Sequence, residues 1–314
     1  MAHIKRYDII PDIHACAGRL TATLEALDYR HRSGVWQHPK GRIAAFLGDF
    51  IDGGLQNQAV IKAVRKMVES GHAVAIMGNH ELNALHYHAR GEAKRDPEGS
   101  TQDGFMRLHD NKNCDQHKAF LSEYPLESDR AQGVLSWFLN LPLFLELDGI
   151  RLVHACWDAR HIELIRSRRP DGRLKAEDLQ EVALEQTEFA KAVVNLLKGP
   201  EAQLPPGHVF HDYGGAPRTE VRIKWWAEPG ATWREAALSV KDSAELPDSQ
   251  FDGELDVTLY HPDAPPVFFG HYKREGVPQE PDALNVMCLD YPSSACAYRW
   301  DGEAKLVPDG LLLV

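Results

Sequence analysis

The chain has 314 residues, and 46 acidic side chains outnumber 35 Lys and Arg residues to give a formal net charge of −11. No stretch approaches the roughly 18 consecutive apolar residues of a membrane span. An acidic chain without a basic block is also a poor candidate for a nucleic-acid binder. We therefore expect no membrane association and no stable nucleic-acid partner. The 16 His residues are a high count, which either metal and phosphate chemistry or plain surface composition would explain.

The five Cys residues are widely spaced and include no C-x-x-C pair. Residues 1–6 lead straight into a strand-like segment without the apolar core of a signal peptide. Reduced thiols are therefore a better interpretation than a disulfide framework, and a structural zinc site built from cysteines is not expected. We predict a cytoplasmic protein.

The first 85 residues alternate between short apolar segments and helical segments. Predicted strands cover residues 7–10, 42–47 and 72–77, and predicted helices cover residues 19–27 and 56–69. This β-α-β-α-β order is typical of a layered α/β domain with a largely parallel sheet. Ligands of such sheets tend to bind at the carboxyl ends of the strands.

The rest of the chain is helical at first and becomes strand-rich towards its end. Predicted helices cover residues 115–124, 133–140 and 174–197, and predicted strands cover residues 143–147, 150–154, 257–260, 267–270, 285–289, 295–300 and 311–314. Both ends of the chain therefore contribute to one core. We predict a single domain over residues 1–314, with helical insertions that form a cap at about 86–140 and 160–255.

Polar side chains stand at the ends of five predicted strands. They are Asp12 and His14, then Asp49 and Asp52, then Asn79, His80 and Glu81, and finally the single residues His154 and His271. Strand ends are often polar for solubility alone, so each cluster by itself is a weak signal. Five clusters in register with a repeating β-α pattern favour a functional site at one edge of the fold.

The residue types in these clusters suit a two-metal site. Asp and His together bind borderline divalent ions such as Mn, Fe, Zn or Co. In Asp12-x-His14, residues i and i+2 point to the same side of an extended segment, so both can reach one ion. An Asp carboxylate can bridge two ions, and ions about 3.5–4 Å apart hold both the attacking and the leaving oxygen of a displacement at phosphorus.

The ordered set of motifs resembles that of the calcineurin-like metallophosphoesterase superfamily. The motifs are Asp12-x-His14, Gly48-Asp49-x-x-Asp52, Gly78-Asn79-His80-Glu81, His154 and Gly270-His271. The single Gly-His near the end is most similar to the serine/threonine protein phosphatase branch and its bacterial relatives. The resemblance implies a four-layer α/β/β/α sandwich of two mixed sheets with helical cap insertions. It also implies hydrolysis of a phosphate ester by direct attack of a metal-bridging hydroxide.

The resemblance assigns a role to eight residues. Asp12 and His14 would hold the first ion, Asp49 would bridge both ions, and Asn79, His154 and His271 would hold the second ion. His80 matches the general acid of the family, and Asp52 matches the carboxylate that orients it. Taken alone, His80 would be a helix-start residue and Asp52 a turn or N-cap residue. The cofactors would be two divalent ions, with Mn expected first and Fe, Zn or Co as alternatives.

The second motif departs from the family pattern, because Gly53 stands where the family has an Arg that grips phosphate. A Gly cannot replace a bidentate Arg–phosphate contact, so either another cation substitutes or the substrate differs. Candidate substitutes are Lys273, Arg218, Arg274 and Arg19, and each is otherwise a solvated surface cation. Lys273 is the first choice, because it lies two residues from His271 and would share its side of an extended segment.

Three hypotheses for the substrate remain open. The first is a small phosphorylated metabolite or nucleotide, since the insertions could enclose a small molecule and an acidic protein does not attract a large polyanion. The alternative is a serine/threonine-type protein phosphatase. The third is a non-catalytic module that keeps the metals and binds a phosphorylated ligand; Gly53 supports it, whereas the intact His80–Asp52 pair opposes it. The sequence does not indicate an oligomeric state.

Overall fold

The computed structural model describes residues 5–94, 103–211, 215–227 and 230–314. Its α-helices are α1 (Ala17–Ala26), α2 (Asn57–Glu69), α3 (Asn79–His88), α4 (Asn111–Glu123), α5 (Asp129–Leu139), α6 (Ala159–Arg168), α7 (Leu179–Leu184), α8 (Glu188–Lys198) and α9 (Trp233–Ala236). Its strands are β1 (Tyr7–Ile10), β2 (Arg30–Arg32), β3 (Val35–Gln37), β4 (Ile43–Phe46), β5 (Ala73–Ala75), β6 (Phe144–Glu146), β7 (Arg151–Val153), β8 (Glu201–Gln203), β9 (Phe210–His211), β10 (Pro217–Arg218), β11 (Glu220–Ile223), β12 (Ala237–Leu238), β13 (Val267–Phe269), β14 (Val286–Cys288), β15 (Cys296–Trp300) and β16 (Leu311–Leu313). Short 3₁₀-helices lie at Ala176–Asp178, Ser243–Glu245 and Pro308–Gly310.

Two mixed sheets form the centre of the molecule. The first has the strand order β16-β15-β1-β4-β5, in which β1, β4 and β5 are parallel and β15 and β16 are antiparallel to their neighbours. The second has the order β14-β13-β7-β6, in which only β6 is antiparallel. Both ends of the chain contribute to the first sheet, because β15 pairs with β1.

The strands of both sheets bury alternate residues on opposite faces, as the period-2 geometry of a strand requires. In β4, Ala45 packs in an apolar cluster made from both sheets, whereas Phe46 packs in a second cluster shared with the helices. In β13, Phe268 belongs to the first cluster and Phe269 to the second. Each sheet therefore has one face on the other sheet and one on helices, which confirms the predicted α/β/β/α sandwich.

A third sheet, with the order β12-β11-β8, stands apart from the sandwich. It has its own small apolar cluster, formed by Ala202, Leu204, Phe210, Val221, Ile223, Trp233, Ala236 and Leu246. By contrast, the apolar residues of α4, α5, α6 and α8 belong to the main core. We call the segment from β8 to β12, residues 201–238, the cap sheet.

Two predicted elements are wrong in detail. The helix predicted over residues 174–197 is broken, because Glu185 adopts a left-handed φ of 54° and Thr187 then caps a new helix by accepting from the Ala190 N–H. Residues 257–260 form no ladder in the described chain, because Thr258 donates its N–H to the Asp158 carboxylate and Tyr260 donates its N–H to the Trp225 carbonyl. The sequence also missed α6 and the hairpin of β2 and β3.

None of the helices in the described residues combines the length and the apolar character that crossing a membrane would require.

Candidate metal centre and the cavity beside it

The sheet topology brings the predicted ligands to one edge of the sandwich. Asp12, Asp49 and Asn79 follow β1, β4 and β5, which are adjacent and parallel. His154 and His271 follow β7 and β13, which are adjacent and parallel in the other sheet. Because the carboxyl ends of parallel strands lie at the same edge, both sheets deliver side chains to one place.

The side-chain atoms in this cluster are within reach of shared ions. Asn79 Oδ1 lies 2.9 Å from His154 Nε2 and 2.8 Å from His271 Nδ1. Asp49 Oδ1 lies 3.5 Å from His154 Nε2, and Asp49 Oδ2 lies 3.9 Å from His14 Nε2. Asp12, Asp49 and His154 present ligand atoms within 4.8 Å of one another, and so do His14, Asp49 and His80. Asp49 is the member common to both groups.

The loops that carry these side chains have strained backbone. His14, Asp49 and His271 have φ values of 49°, 50° and 64°, in the left-handed region that residues other than glycine rarely adopt. The loops hold one another in place, since the His14 N–H donates to the Asp49 carbonyl at 2.9 Å and the Gly270 N–H donates to the His154 carbonyl at 2.9 Å. Strain of this kind costs about 1–3 kcal/mol per residue and is concentrated at functional sites.

Two glycines allow the backbone to lie directly against the carboxylates. A Cβ on Gly270 would stand 1.9 Å from Asp12 Oδ1, and a Cβ on Gly78 would stand 2.2 Å from Asp49 Oδ1. Neither distance is compatible with a side chain, so these positions need glycine for close approach rather than for backbone freedom.

The buried Glu81 ties the second and third loops together. Its carboxylate accepts hydrogen bonds from the backbone N–H groups of Asp49 and Phe50 at 2.8 Å each, and from that of Gly78 at 2.9 Å. The sequence motif contained Glu81, but only the structure shows that it orients the Asp49 loop.

The cluster has the chemistry of a cation site. Asp12 Oδ1 and His271 Nε2 are buried and have no hydrogen-bond partner within the described part of the chain. His154 donates its Nδ1–H to the Leu47 carbonyl at 2.7 Å, which turns Nε2 towards the oxygens of Asn79 and Asp49. Burial lowers the pKa of His154, but Asp49, Asp12 and the hydrogen bond to Leu47 together outweigh burial and raise it to about 10. Because the site demands positive charge among oxygen and imidazole donors, its residues fit divalent ions.

His80 and Asp52 form a hydrogen-bonded pair beside this cluster. His80 Nδ1 lies 2.8 Å from Asp52 Oδ2, and His80 Nε2 lies 3.8 Å from Asp49 Oδ2. Burial lowers the pKa of His80, but the charges of Asp49 and Asp52 outweigh burial and raise it above its usual value. The two carboxylates thus favour the protonated form of His80, the form that a general acid requires.

Helix α4 contributes two contacts that the sequence did not predict. His117 donates its Nδ1–H to Asp52 Oδ1 at 2.9 Å, and Gln116 Nε2 lies 3.4 Å from His80 Nε2. Helical periodicity located this helix but could not show which partner its polar residues meet. The only signal was the presence of a His among the apolar residues of the helix.

A cavity of about 630 Å³ lies over the cluster. Its floor includes Asp12, His14, Asp49, Asn79, His80 and His271, and its opposite wall comes from the cap sheet through Glu201, Phe210, Arg218, Glu220, Arg222 and Leu238. His154 is fully buried beneath the floor. The metal cluster is thus reached through a chamber with an acidic floor and a mixed, partly basic wall.

Of the four candidate cations, the structure places two at the cavity and gives the other two partners elsewhere. Lys273 and Arg218 line the cavity. Arg274 instead forms an ion pair with Asp282 at 2.7 Å, and Arg19 donates to the carbonyls of Tyr291 and Ser294 at 2.7 and 2.9 Å. The sequence also missed Arg222, which lines the cavity from β11.

The comparisons with known proteins identify the family. The family model for the calcineurin-like phosphoesterases matches residues 5–272, so the chain belongs to this family, and the sequence-based prediction of it is confirmed.

The curated relatives carry a more particular description. The asymmetrical bis(5'-nucleosyl)-tetraphosphatase PrpE of Bacillus subtilis (strain 168) is 32% identical over 121 residues, which are 33% of this chain and 49% of that protein. PrpE of Oceanobacillus iheyensis is 30% identical over 157 residues, which are 48% of this chain and 55% of that protein. PrpE of Halalkalibacterium halodurans is 39% identical over 75 residues, which are 24% of this chain and 30% of that protein. The matched part of the chain thus spans 30% to 55% of these relatives' lengths.

Solved structures with a related architecture are more distant. A protein serine/threonine phosphatase from Saccharomyces cerevisiae is 11% identical with a TM-score of 0.45, and the match covers 100% of this chain and 80% of that one. The cold-active protein-tyrosine phosphatase of a Shewanella species is 13% identical with a TM-score of 0.46, and the match covers 99% of this chain and 80% of that one.

Proposed function

We propose that the protein is a metal-dependent phosphoesterase that hydrolyses a small phosphorylated metabolite or a nucleotide. The observation that carries the proposal is the convergence of six donor side chains at the shared edge of the two sheets. In this proposal Asp12 and His14 hold one ion, Asn79, His154 and His271 hold the other, and Asp49 contacts both. The bound ions, with Mn expected before Fe, Zn or Co, would supply Lewis-acid charge to the phosphate and acidify the attacking water.

The remaining chemistry falls to His80 and Asp52. His80 lines the cavity and, in this proposal, gives the proton on Nε2 to the leaving oxygen. Asp52 accepts the Nδ1–H at 2.8 Å, which fixes the orientation of the ring and stabilises its positive charge. A non-catalytic binding module would have no need of this pair.

Two observations favour a nucleotide among the possible small substrates. The relatives are named as tetraphosphatases of bis-nucleosyl compounds. The cavity also combines the candidate metal cluster with the basic residues Arg222 and Lys273, which suit the phosphates of a nucleotide. A chamber walled by the cap sheet suits a small molecule better than the phosphorylated side chain of a folded protein.

We also propose a single domain over residues 1–314, in which the insertions at about 86–140 and 160–255 surround the site. Helix α4 from the first insertion reaches His80 and Asp52, and the cap sheet from the second walls the cavity. A cytoplasmic location fits the five cysteines, all of which are free thiols.

The test is hydrolysis by the purified protein with added Mn. The substrates are p-nitrophenyl phosphate, its bis ester, diadenosine tetraphosphate, a panel of nucleotides and sugar phosphates, and phosphopeptides. We expect turnover of p-nitrophenyl phosphate and of at least one nucleotide, and loss of both in Asp49→Asn. Absence of all turnover would favour the binding module, and turnover of phosphopeptides alone would favour the protein phosphatase.

A further inference from the structure

We propose that Arg222 and Lys273 form a phosphate-binding subsite for a polyphosphate chain. This subsite, here called the cap subsite, would hold the phosphates next to the one being cleaved. The inference rests on the proposed function, because it concerns the substrate of the same site.

The conformation of the second motif leaves no room for a cationic side chain after Asp52. Gly53 has a φ of 77°, and a Cβ on it would lie 3.2 Å from His14 Cβ. A Cβ on Gly54 would lie 2.6 Å from the Ala15 carbonyl oxygen. The loop after Asp52 therefore packs tightly against the first metal-binding loop, and any side chain at these two positions would be strained.

The cap sheet places Arg222 in the opposite wall of the cavity. Arg222 lies on β11, the central strand, where it is in register with Glu201 of β8 and with Leu238 of β12. Directly opposed residues of neighbouring strands share a face of the sheet, and all three of these residues line the cavity. The Arg222 Nε lies 3.5 Å from a Glu201 carboxylate oxygen, so the guanidinium is oriented by a partner and keeps further N–H groups for a ligand.

The two cations reach the cavity from different elements. Arg222 lines it from β11 of the cap sheet, whereas Lys273 lines it from the loop after β13, two residues beyond His271. A chain of phosphates lying across the cavity would therefore meet one cation from each wall.

The chemistry of the cavity indicates a polyphosphate ligand rather than a single phosphate. A monoester needs only the metal centre, whereas a longer chain must be neutralised across the cavity, where an Arg fork and a Lys ammonium suit phosphate oxygens. Glu201 and Glu220 also line the cavity, so the wall is not uniformly basic. The cavity would therefore favour a ligand whose phosphates align with Arg222 and Lys273 over an arbitrary polyanion.

The experiment compares two substrates, p-nitrophenyl phosphate and diadenosine tetraphosphate, with Mn present. In Arg222→Met and Lys273→Met we expect kcat/KM for the tetraphosphate to fall about tenfold to a hundredfold each, the range for a lost charged hydrogen bond. The fall in kcat/KM for p-nitrophenyl phosphate should be at least about threefold smaller than the fall for the tetraphosphate, because its single phosphate lies at the metal centre. The matched control is Arg234→Met, since Arg234 donates to the Leu246 carbonyl and pairs with Asp248 elsewhere in the cap.

The outcomes separate this inference from the proposed function. If the unmodified protein hydrolyses neither substrate, the proposed function fails. If it hydrolyses p-nitrophenyl phosphate but not the tetraphosphate, the phosphoesterase stands and the cap subsite is overturned. The subsite is also overturned if Arg222→Met retains full activity on both substrates or loses both equally. Melting temperatures equal to that of Arg234→Met would show that the variants are folded.

Discussion

Helix α4 offers a direct test of how the hydrogen-bonded pair of His80 and Asp52 is positioned. His117 donates to Asp52 Oδ1 at 2.9 Å, while the other oxygen of Asp52 faces His80 at 2.8 Å. Burial raises the pKa of Asp52, but the hydrogen bonds from His117 and His80 outweigh burial and lower it. Asp52 has a φ of 63°, and Asn57 Oδ1 accepts its backbone N–H. Glu123, at the end of α4, in turn accepts from Asn57, so the helix holds Asp52 through two routes.

The informative change is His117→Phe, because it keeps the ring and removes the donor. His117 stacks on Phe120 with ring centroids 4.7 Å apart and an interplanar angle of 23°, which a Phe ring would retain. A hydrogen bond to a charged group is worth about 1.5–3 kcal/mol. Without this hydrogen bond Asp52 would hold His80 less well, and the lost free energy would raise the barrier of the reaction. We therefore expect kcat to fall about tenfold to a hundredfold while KM changes little.

The matched control is His117→Asn, which supplies an amide donor near the position of Nδ1 but loses the stacked ring. We expect kcat to recover to within about threefold of the unmodified protein, whereas the melting temperature falls below that of the Phe variant because the packing is lost. The assay is steady-state hydrolysis of p-nitrophenyl phosphate with Mn, together with thermal unfolding. An Asn variant no more active than the Phe variant, or a Phe variant with full kcat, would refute the positioning role.

Three further predictions concern the metal centre. Asp49→Asn should lower bound metal, measured by elemental analysis, and reduce kcat by more than about a hundredfold, because the residue would contact both ions of the proposed site. Unchanged metal content and activity would contradict the ligand assignment. Gly270→Ala should lower the free energy of unfolding by about 1–3 kcal/mol and weaken metal binding, since the added Cβ would lie 1.9 Å from Asp12 Oδ1. A titration with Mn that matches that of the unmodified protein would count against this close approach. Chelation should lower the melting temperature, and added Mn should restore it. The reason is that bound ions would stabilise a folded state in which the Asp12 and Asp49 carboxylates are buried together. A melting curve that does not respond to chelator would oppose a metal site here.

The convergence of the candidate ligands is predictable from sequence because each stands just beyond a strand. Asp12, Asp49 and His154 follow β1, β4 and β7 within three residues, so local pattern and the geometry of parallel sheets were enough. Lys273 was placed at the cavity for a reason that does not hold. The prediction assumes an extended segment, but His271 has a φ of 64°. The correct position followed from nearness to a ligand rather than from strand periodicity.

The residues that the sequence missed depend on long-range geometry. His117 meets Asp52 from 65 positions away, and no local pattern links the two. Arg222 faces the cavity only because β11 pairs with both β8 and β12 in one register, and a shift of one residue would turn its side chain to the other face of the cap sheet. Long-range geometry also explains why the candidate Arg274 does not serve the cavity. It is next to the cavity residue Lys273 in sequence, but its side chain pairs with Asp282.

The positions of these residues divide the chemistry between two parts of the fold. His80 and Asp52 are supported by α4, whose apolar side chains belong to the main core. Arg222 belongs to a cap sheet with an apolar cluster of its own. Changes in the cap wall would therefore alter which substrates bind without repacking the sandwich that holds the proposed metal ligands. In the proposed mechanism, changes in α4 act on proton transfer and should affect every substrate alike, because the leaving oxygen would meet His80 whatever chain of phosphates lies beyond it.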